Sequence, residues 1–170
     1  MSDAFITWDK YMSDIEKLAV KIADDKYDFN QIVCIAKGGL RVGDIIQRIF
    51  DVPLAIMSVE SYHGDGSKNK QGQIVFGNSL AKTSPNLGSK VLLLDDLCDS
   101  GVTMEKCVKW LQYYHGFFID EIKTGCLWVK GVSTFVPDFY VEYYEDSPWI
   151  HQPMEEYEVI SIEDIKKGLE

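Results

Sequence analysis

Three carboxylates stand within five positions in the segment "VLLLDDLCDSGVT", residues 91–103. Asp95 and Asp96 end a run of four apolar residues, and Asp99 follows three positions later. Ser100, Gly101 and Thr103 come next, and they are small residues that leave backbone N–H groups open. A strand that ends in such a turn and feeds a helix presents unpaired amides and the positive end of the helix dipole. Gly101 permits close backbone approach, and the two hydroxyls add donors, so the environment fits a phosphate monoester. The plainer alternative is a helix capped by Asp99 or Ser100. The adjacent acid pair favours the phosphate site. Two neighbouring carboxylates repel unless they meet donors, a metal or solvent. Vicinal ribose hydroxyls are such donors, and Mg²⁺ is satisfied by a few carboxylates plus substrate oxygens and water. A phosphate cradle one turn from two hydroxyl acceptors describes a ribose 5-phosphate site.

The flanking elements must bring these groups to one place. "QIVCIA", "PLAIMSV", "KVLLL", "EIKTGCLWVK" and "DFYVEYY" read as strands, the first and third as continuous buried runs. Between them, "TWDKYMSDIEKLAVKI" puts Trp8, Met12, Ile15, Leu18, Ala19 and Ile22 on one helical stripe, with Thr7 as N-cap. "LRVGDIIQRIF" repeats Val42, Ile45, Ile46 and Ile49 at helical spacing. "GVTMEKCVKWLQYYHG" does the same with Met104, Cys107, Val108, Leu111 and Tyr114, and ends at Gly116. Strands too apolar for a wet face, alternating with helices, imply an α/β fold: a parallel twisted sheet with helices on both faces. Such sheets bind ligands beyond the carboxyl ends of their strands. Both "AKGG" (36–39) and "DDLCDSGVT" (95–103) fall there.

Residues 61–90 are rich in Gly, Ser, Asn and Lys, with "QIVF" as a short hairpin strand, and read as a mobile lid. "EDSPWIHQPMEEYE" reads as an ordered loop and "SIEDIKKGLE" as a short polar helix. No repeat or linker divides the 170 residues, so one domain is expected over 1–170. No apolar run approaches the roughly 18 residues of a membrane span, and the start "MSDAFITWDKYMSD" has no export signal. The net charge of −10 disfavours nucleic acid. Four widely spaced cysteines without a CxxC pair point to a reducing cytoplasm and against zinc.

The 91–103 segment resembles the 5-phosphoribosyl diphosphate (PRPP) signature of type I phosphoribosyltransferases. Four apolar residues, two acids, two further residues and a D-[ST]-G-x-T-like loop follow in that order, with Cys98 where an aliphatic residue is usual. The resemblance extends from about Phe5 to Glu155. "FITWDKYMSDIEKLA" is similar to the start of bacterial xanthine-guanine phosphoribosyltransferases. "CIAKGGL" resembles the diphosphate loop, and "ESY" the Ser-Tyr pair that begins the catalytic lid. "WVK", "DFYV" and "WIHQP" resemble a purine-binding hood, here about 138–158. The PRPP motif is highly specific for the superfamily, and the hood moderately so for its purine branch.

The resemblance implies roles. Asp95 and Asp96 would hold the ribose hydroxyls, directly or through Mg²⁺. Asp99, Ser100, Gly101, Val102 and Thr103 would hold the 5-phosphate, with Asp99 also beside N7 of the purine. Lys37, Gly38 and Gly39 would meet the diphosphate, and Ser61 and Tyr62 would close over it. Lys130 would donate to the 6-oxo group and Trp149 would stack on the ring. The Ile150 backbone and Glu155 would face the 2-position or a metal. The implied catalysts are Asp99 and Lys37. The substrates would be PRPP and a 6-oxopurine, in a cytoplasmic homodimer or tetramer that binds neither nucleic acid nor membrane. Met154 replaces a second tryptophan often found after "QP", which leaves the preferred purine open.

Other readings compete. A receiver domain would open with "VLLLDD", yet 74 residues after Asp96 are too few and the SGVT loop has no role there. "DDLCD" matches the DDxxD of isoprenoid synthases, but that motif belongs on a helix. A non-catalytic PRPP-binding regulator, or a transferase for adenine, a pyrimidine or nicotinate, keeps the PRPP motif. Only Lys130 and Trp149 favour a 6-oxopurine.

Overall fold

The computed structural model describes residues 3–61 and 74–169. In chain order the elements are β1 (Ala4–Phe5), α1 (Trp8–Asp25), β2 (Gln31–Ala36), α2 (Gly39–Phe50), β3 (Leu54–Ser61) and β4 (Ile74–Phe76). They continue with β5 (Lys90–Leu94), β6 (Leu97–Cys98), α3 (Val102–His115), β7 (Glu121–Lys130), β8 (Phe139–Tyr144) and β9 (Ile150–His151). Two short helices, α4 (Glu156–Val159) and α5 (Ile162–Gly168), close the chain.

The main sheet runs β4-β3-β2-β5-β7, with β8 outside β7 and short β6 against the far end of β7. All pairings are parallel except the β4 edge. Side-chain alternation divides the core in two. Ile32, Leu92 and Leu94 face α1 and α2, where they meet Ile15, Leu18, Val42 and Ile46. Val33, Ile35, Val91 and Leu93 face α3, where they meet Met104, Cys107 and Leu111. The expected sheet with helices on both faces is therefore present.

From β2 the chain crosses to β3 on one side and later returns to β5 on the other. The order reverses between β2 and β5, and the two loops leaving those strands diverge around a crevice. Beside it, Leu127 N and Trp128 N both donate to the Asp96 carbonyl, at 2.9 and 3.3 Å, and this carries the β7 pairing from β5 across to β6 in unchanged register.

Three expectations change. Trp8 and Met12 are 41% exposed, whereas Tyr11 and Asp14 are fully buried, so the inward face of α1 is rotated from the apolar stripe. The physical reason is polar pairing: Asp14 accepts from Trp128 Nε1 at 3.0 Å, Lys10 Nζ at 2.7 Å and Lys17 Nζ at 2.9 Å. The lid does not reach residue 90. Leu80 and Leu87 are core residues, Ala81 bridges Ile56, and β4 pairs with β3, because these side chains cover the α3-side core. The part of the expected lid at 62–73, including Tyr62, lies outside the described residues. The hood is also smaller than 138–158, since Phe139–Tyr144 belongs to the main sheet. What stands apart is a two-stranded sheet in which Ala4 and Phe5 pair with Ile150 and His151.

Candidate active site

Two loops at the switch point build the floor of the site. After β2, the Ala36–Lys37 peptide is cis and Gly39 opens α2. A Cβ on Gly39 would lie 2.5 Å from the Leu94 carbonyl oxygen, so only glycine lets α2 begin this close to the end of β5. After β5, Asp95 N donates to Gly125 O at 3.0 Å, and Asp95 Oδ1 accepts from Asp96 N at 2.9 Å. Burial pushes the Asp95 carboxyl well above its usual range, and the charge of Asp96 adds to that. The N–H groups of Asp96 and Gly39 pull the other way.

The phosphate-type cradle follows. Gly101 takes φ +80° at the entrance to α3, a conformation that side chains rarely adopt. The N-cap residue Gly101 has no side chain to cap α3, and the only such contact among the described residues is a long one, Val102 N to Ser100 Oγ at 3.5 Å, with Asp99 not involved. The loop is held from outside: Thr134 N and Thr134 Oγ1 both donate to Ser100 O, at 3.1 and 3.2 Å. Cys98 packs beneath it, with Sγ 3.4 Å from Ser133 Oγ and 3.4 Å from the Phe135 carbonyl. Burial raises the Cys98 thiol, so this cysteine serves as a small apolar contact.

Lys37, Gly38, Asp95, Asp96, Asp99, Ser100, Gly101 and Thr103 line one cleft of about 360 Å³. Gly39 lies behind this wall, and Val102 is the first residue of α3. Lys130, at the end of β7, is only 6% exposed, and its Nζ lies 3.2 Å from Asp99 Oδ1. The same Nζ sits 5.4 Å from the Trp149 ring centroid, and that ring is 61% exposed. Asp99 thus joins the cradle to the expected base-binding pair.

The remaining expected residues sit apart. The Ile150 side chain is buried in the core beneath the hood. Glu155 lines a second cleft of about 720 Å³ together with Lys37, Arg41, Asp96 and Gln152. Its Oε2 is 3.4 Å from His151 Nδ1, while His151 Nε2 lies 3.4 Å from Asp3 Oδ2. Ser61 ends β3. Sequence reasoning missed Arg41, Ser133, Thr134 and Gln152. Arg41 is one helical turn beyond the Lys-Gly-Gly loop, a spacing that could have marked it. Gln152 lies inside the quoted "WIHQP" string, but its bond to Asp96 spans 56 positions, and Ser133 and Thr134 likewise act across long separations that no local pattern encodes.

Comparison with known proteins agrees with this geometry. The chain is 28% identical to a xanthine-guanine phosphoribosyltransferase of Gluconobacter oxydans (strain 621H) over 151 residues, 88% of this chain and 83% of that protein. A purine phosphoribosyltransferase from Pyrococcus horikoshii superposes with a TM-score of 0.74 at 29% identity, covering 95% of this chain and 99% of that one. The Helicobacter pylori xanthine-guanine-hypoxanthine phosphoribosyltransferase shares the fold, with a TM-score of 0.73 at 19% identity over 98% of this chain and 99% of that one. The family described as phosphoribosyl transferase domain matches residues 2–158. With the acid pair, the cradle and the lysine loop converging at the switch point of its sheet, this chain belongs to the phosphoribosyl transferase domain family.

Proposed function

We propose that the chain is a purine salvage enzyme that transfers the 5-phosphoribosyl group of PRPP to a 6-oxopurine, giving the nucleoside monophosphate and diphosphate. The observation that carries this reading is one cleft lined by Lys37, Asp95, Asp96 and the 99–103 loop, with Lys130 and Trp149 adjoining it through Asp99. The named relatives, which are purine enzymes, support the choice of base.

In this reading a purine ring nitrogen forms a bond to ribose C1 as the C1–oxygen bond to diphosphate breaks. The ring proton lost from the base passes to Asp99. Lys37 and the backbone at Gly38 and Gly39 meet the negative charge that grows on the leaving diphosphate. The 99–103 loop anchors the 5-phosphate through its amides and hydroxyls. Lys130 donates to the 6-oxo group, and the Trp149 face supplies a stacking surface. Glu155 faces the 2-position side of the base or a cation.

The donor set suits Mg²⁺ that arrives with substrate. Two adjacent carboxylates are present, and no group of three or more His, Cys, Asp or Glu among the described residues could hold a metal alone. Mg²⁺ commonly takes one or two carboxylates and completes its shell with phosphate oxygens and water. Asp95 and Asp96 would hold it, and when bound it neutralises diphosphate charge. A cation there also offsets the burial that raises Asp95 and the smaller contribution of the Asp96 charge. The same proposal includes a cytoplasmic site of action, which four buried free thiols support. It also includes a dimer or tetramer, supported by the exposed aromatics Tyr113, Tyr114 and Phe117 at the end of α3.

Diphosphate release from PRPP and Mg²⁺, with guanine, hypoxanthine, xanthine, adenine and uracil supplied separately, tests the reading. Release with 6-oxopurines alone is expected. Release with adenine or uracil instead would keep the PRPP site and overturn the base assignment. Binding of PRPP without release from any base would make the chain a regulator.

A further inference from the structure

The acid pair has a neighbour that the roles above leave unused. Gln152 directly follows β9, yet its Nε2 donates to Asp96 Oδ2 at 2.8 Å across 56 positions of sequence. An ionised carboxylate only accepts, so the amide NH₂ must face Asp96 and the amide oxygen must face away. That oxygen is buried and has no hydrogen-bond partner among the described residues. A buried acceptor left unpaired is unfavourable, so this amide orientation is held by what Nε2 does for Asp96. Gly38 packs against the same carboxyl group: an added Cβ would lie 2.3 Å from Asp96 Oδ1 and 2.6 Å from Oδ2. The carboxylate is therefore gripped between the diphosphate-side backbone and an amide from the hood. Gln152 also lines both clefts, where the base side and the diphosphate side of the site meet.

The position of Gln152 explains what the grip does. β9 hangs on β1 by Ala4 N to Trp149 O at 2.8 Å and Ile6 N to His151 O at 2.9 Å. Beyond it the chain turns at once, with Glu155 N donating to Gln152 O at 3.0 Å. The segment that carries Trp149 and Glu155 is thus pinned at one end by β1 and at the other by Asp96. Asp96 sits beside Asp95, whose Oδ1 accepts from Asp96 N at 2.9 Å, so the Gln152 bond fixes the far end of a carboxylate whose backbone is already tied to its neighbour.

We infer that Gln152 is a positioning residue for Asp96, a latch that fixes the ribose-binding acid and ties the hood to it. The inference rests on the PRPP reading. It does not require Gln152 to touch substrate.

The test is a double-variant cycle on PRPP affinity, measured by calorimetry with Mg²⁺ and no base. The variants are Gln152→Met, which keeps length and volume, Asp96→Asn, and both together. If Gln152 acts through Asp96, Q152M weakens PRPP about tenfold in the wild-type background and less than twofold in the D96N background. Affinity within twofold of wild type for Q152M would overturn the inference. So would a tenfold loss that persists beside D96N, which a merely structural role would give. Should Q152M fold poorly, nuclear magnetic resonance of the Gln152 side-chain NH₂ replaces it. Those signals are expected to move in D96N and on adding PRPP to the wild-type chain. Signals that stay in place would overturn the latch. Absence of PRPP binding by the wild-type chain would overturn the PRPP reading and this inference together, whereas every other adverse result removes only Gln152.

Discussion

The floor of the site and its hood are built by different means. The floor, made by residues 36–39 and 95–103, continues directly from two central strands whose side chains are buried on both faces. Lys37, Asp95 and Asp99 inherit their positions from the sheet, and the β2–β5 register fixes the distance between the two loops. The hood rests on a two-residue pairing between Ala4–Phe5 and Ile150–His151, a Phe5–His151 ring stack at 4.5 Å, and the Gln152–Asp96 bond. A rigid floor suits the PRPP side, where charges must be preorganised. A thinly attached hood suits the base side, where a flat ring must enter and a nucleotide must leave. Substitutions in the floor should therefore affect folding and catalysis together, and substitutions in the hood, apart from Gln152 with its bond to Asp96, only the base.

The most severe break is Gly39→Ala. Its new methyl would meet the Leu94 carbonyl at 2.5 Å and the Asp95 Cα at 3.0 Å, both of them backbone. Overpacking of this kind costs about 1–3 kcal/mol or more. Because it parts Lys37 from Asp95, diphosphate release should fall roughly 10²-fold. Urea denaturation and the release assay check both, and a normal midpoint would deny that the floor is rigid. Lys130→Ala comes next. If Lys130 donates to the 6-oxo group as proposed, its removal should lower kcat/KM for the purine about 10–100-fold and leave PRPP affinity within twofold. A matching loss of PRPP affinity would move Lys130 from the hood side to the floor side. Trp149→Ala should be milder, because the ring is largely exposed. Stacking of this kind contributes about 0.5–1.5 kcal/mol, so KM for the purine should rise about 3–10-fold with an unchanged melting temperature.

Beneath both regions lies the Asp14 network, which separates pH effects on folding from pH effects on binding. Burial pushes the Asp14 carboxyl up, but hydrogen bonds from Lys10, Lys17 and Trp128 outweigh it, so Asp14 titrates below its ordinary range. Glu142 is lowered in the same way: burial raises it, and Lys10 and Tyr144 more than compensate. A carboxyl whose folded pKa lies below its unfolded value contributes fully above that unfolded value, about 4. The contribution is lost as pH falls through the folded pKa. Asp14→Asn should cost about 1–3 kcal/mol at pH 7. The gap from wild type should narrow toward pH 3. Urea midpoints at the two pH values check this, and a constant gap would mean that the Asp14 charge is not what holds α1 to β7.

The same contrast explains what could be read from the sequence. The floor was legible because its chemistry is contiguous: "CIAKGG" and "VLLLDDLCDSGVT" each carry strand, turn and functional residues in one string. Apolar runs also gave the parallel sheet. The hood shows in the sequence only through the resemblance of "WIHQP", and its attachment to β1 does not, because two-residue strands have no period and the partners Ala4 and Ile150 are 146 positions apart. Periodicity also misplaced the face of α1. It counts Trp8 as apolar and Asp14 as polar, while the fold buries Asp14 with its lysines and Trp128. Pairing between distant polar groups decides such faces, and hydrophobic spacing does not record it. The end of the expected lid failed likewise, since a Gly- and Ser-rich stretch can still send Leu80 and Leu87 into the core.

The smallest effect should come from the end of the chain, and it sharpens where the hood stops. Tyr157 and Glu158 line the second cleft beside Glu155. Beyond Ile160 every side-chain bond among the described residues is local. Ser161 Oγ accepts from Asp164 N at 3.2 Å and caps α5, and Lys167 pairs with Asp164 at 3.7 Å. No residue of α5 is buried. A short helix without a buried face adds little beyond its own caps. Removing residues 161–170 should therefore change stability by less than about 0.5 kcal/mol and leave KM for both substrates within twofold. Cutting four residues earlier, after Glu156, takes Tyr157 and Glu158 away from the second cleft and should raise KM for the purine while PRPP affinity holds. If the shorter cut already raises it, α5 belongs to the hood, and the base side is a larger structure than its two-residue strands suggest.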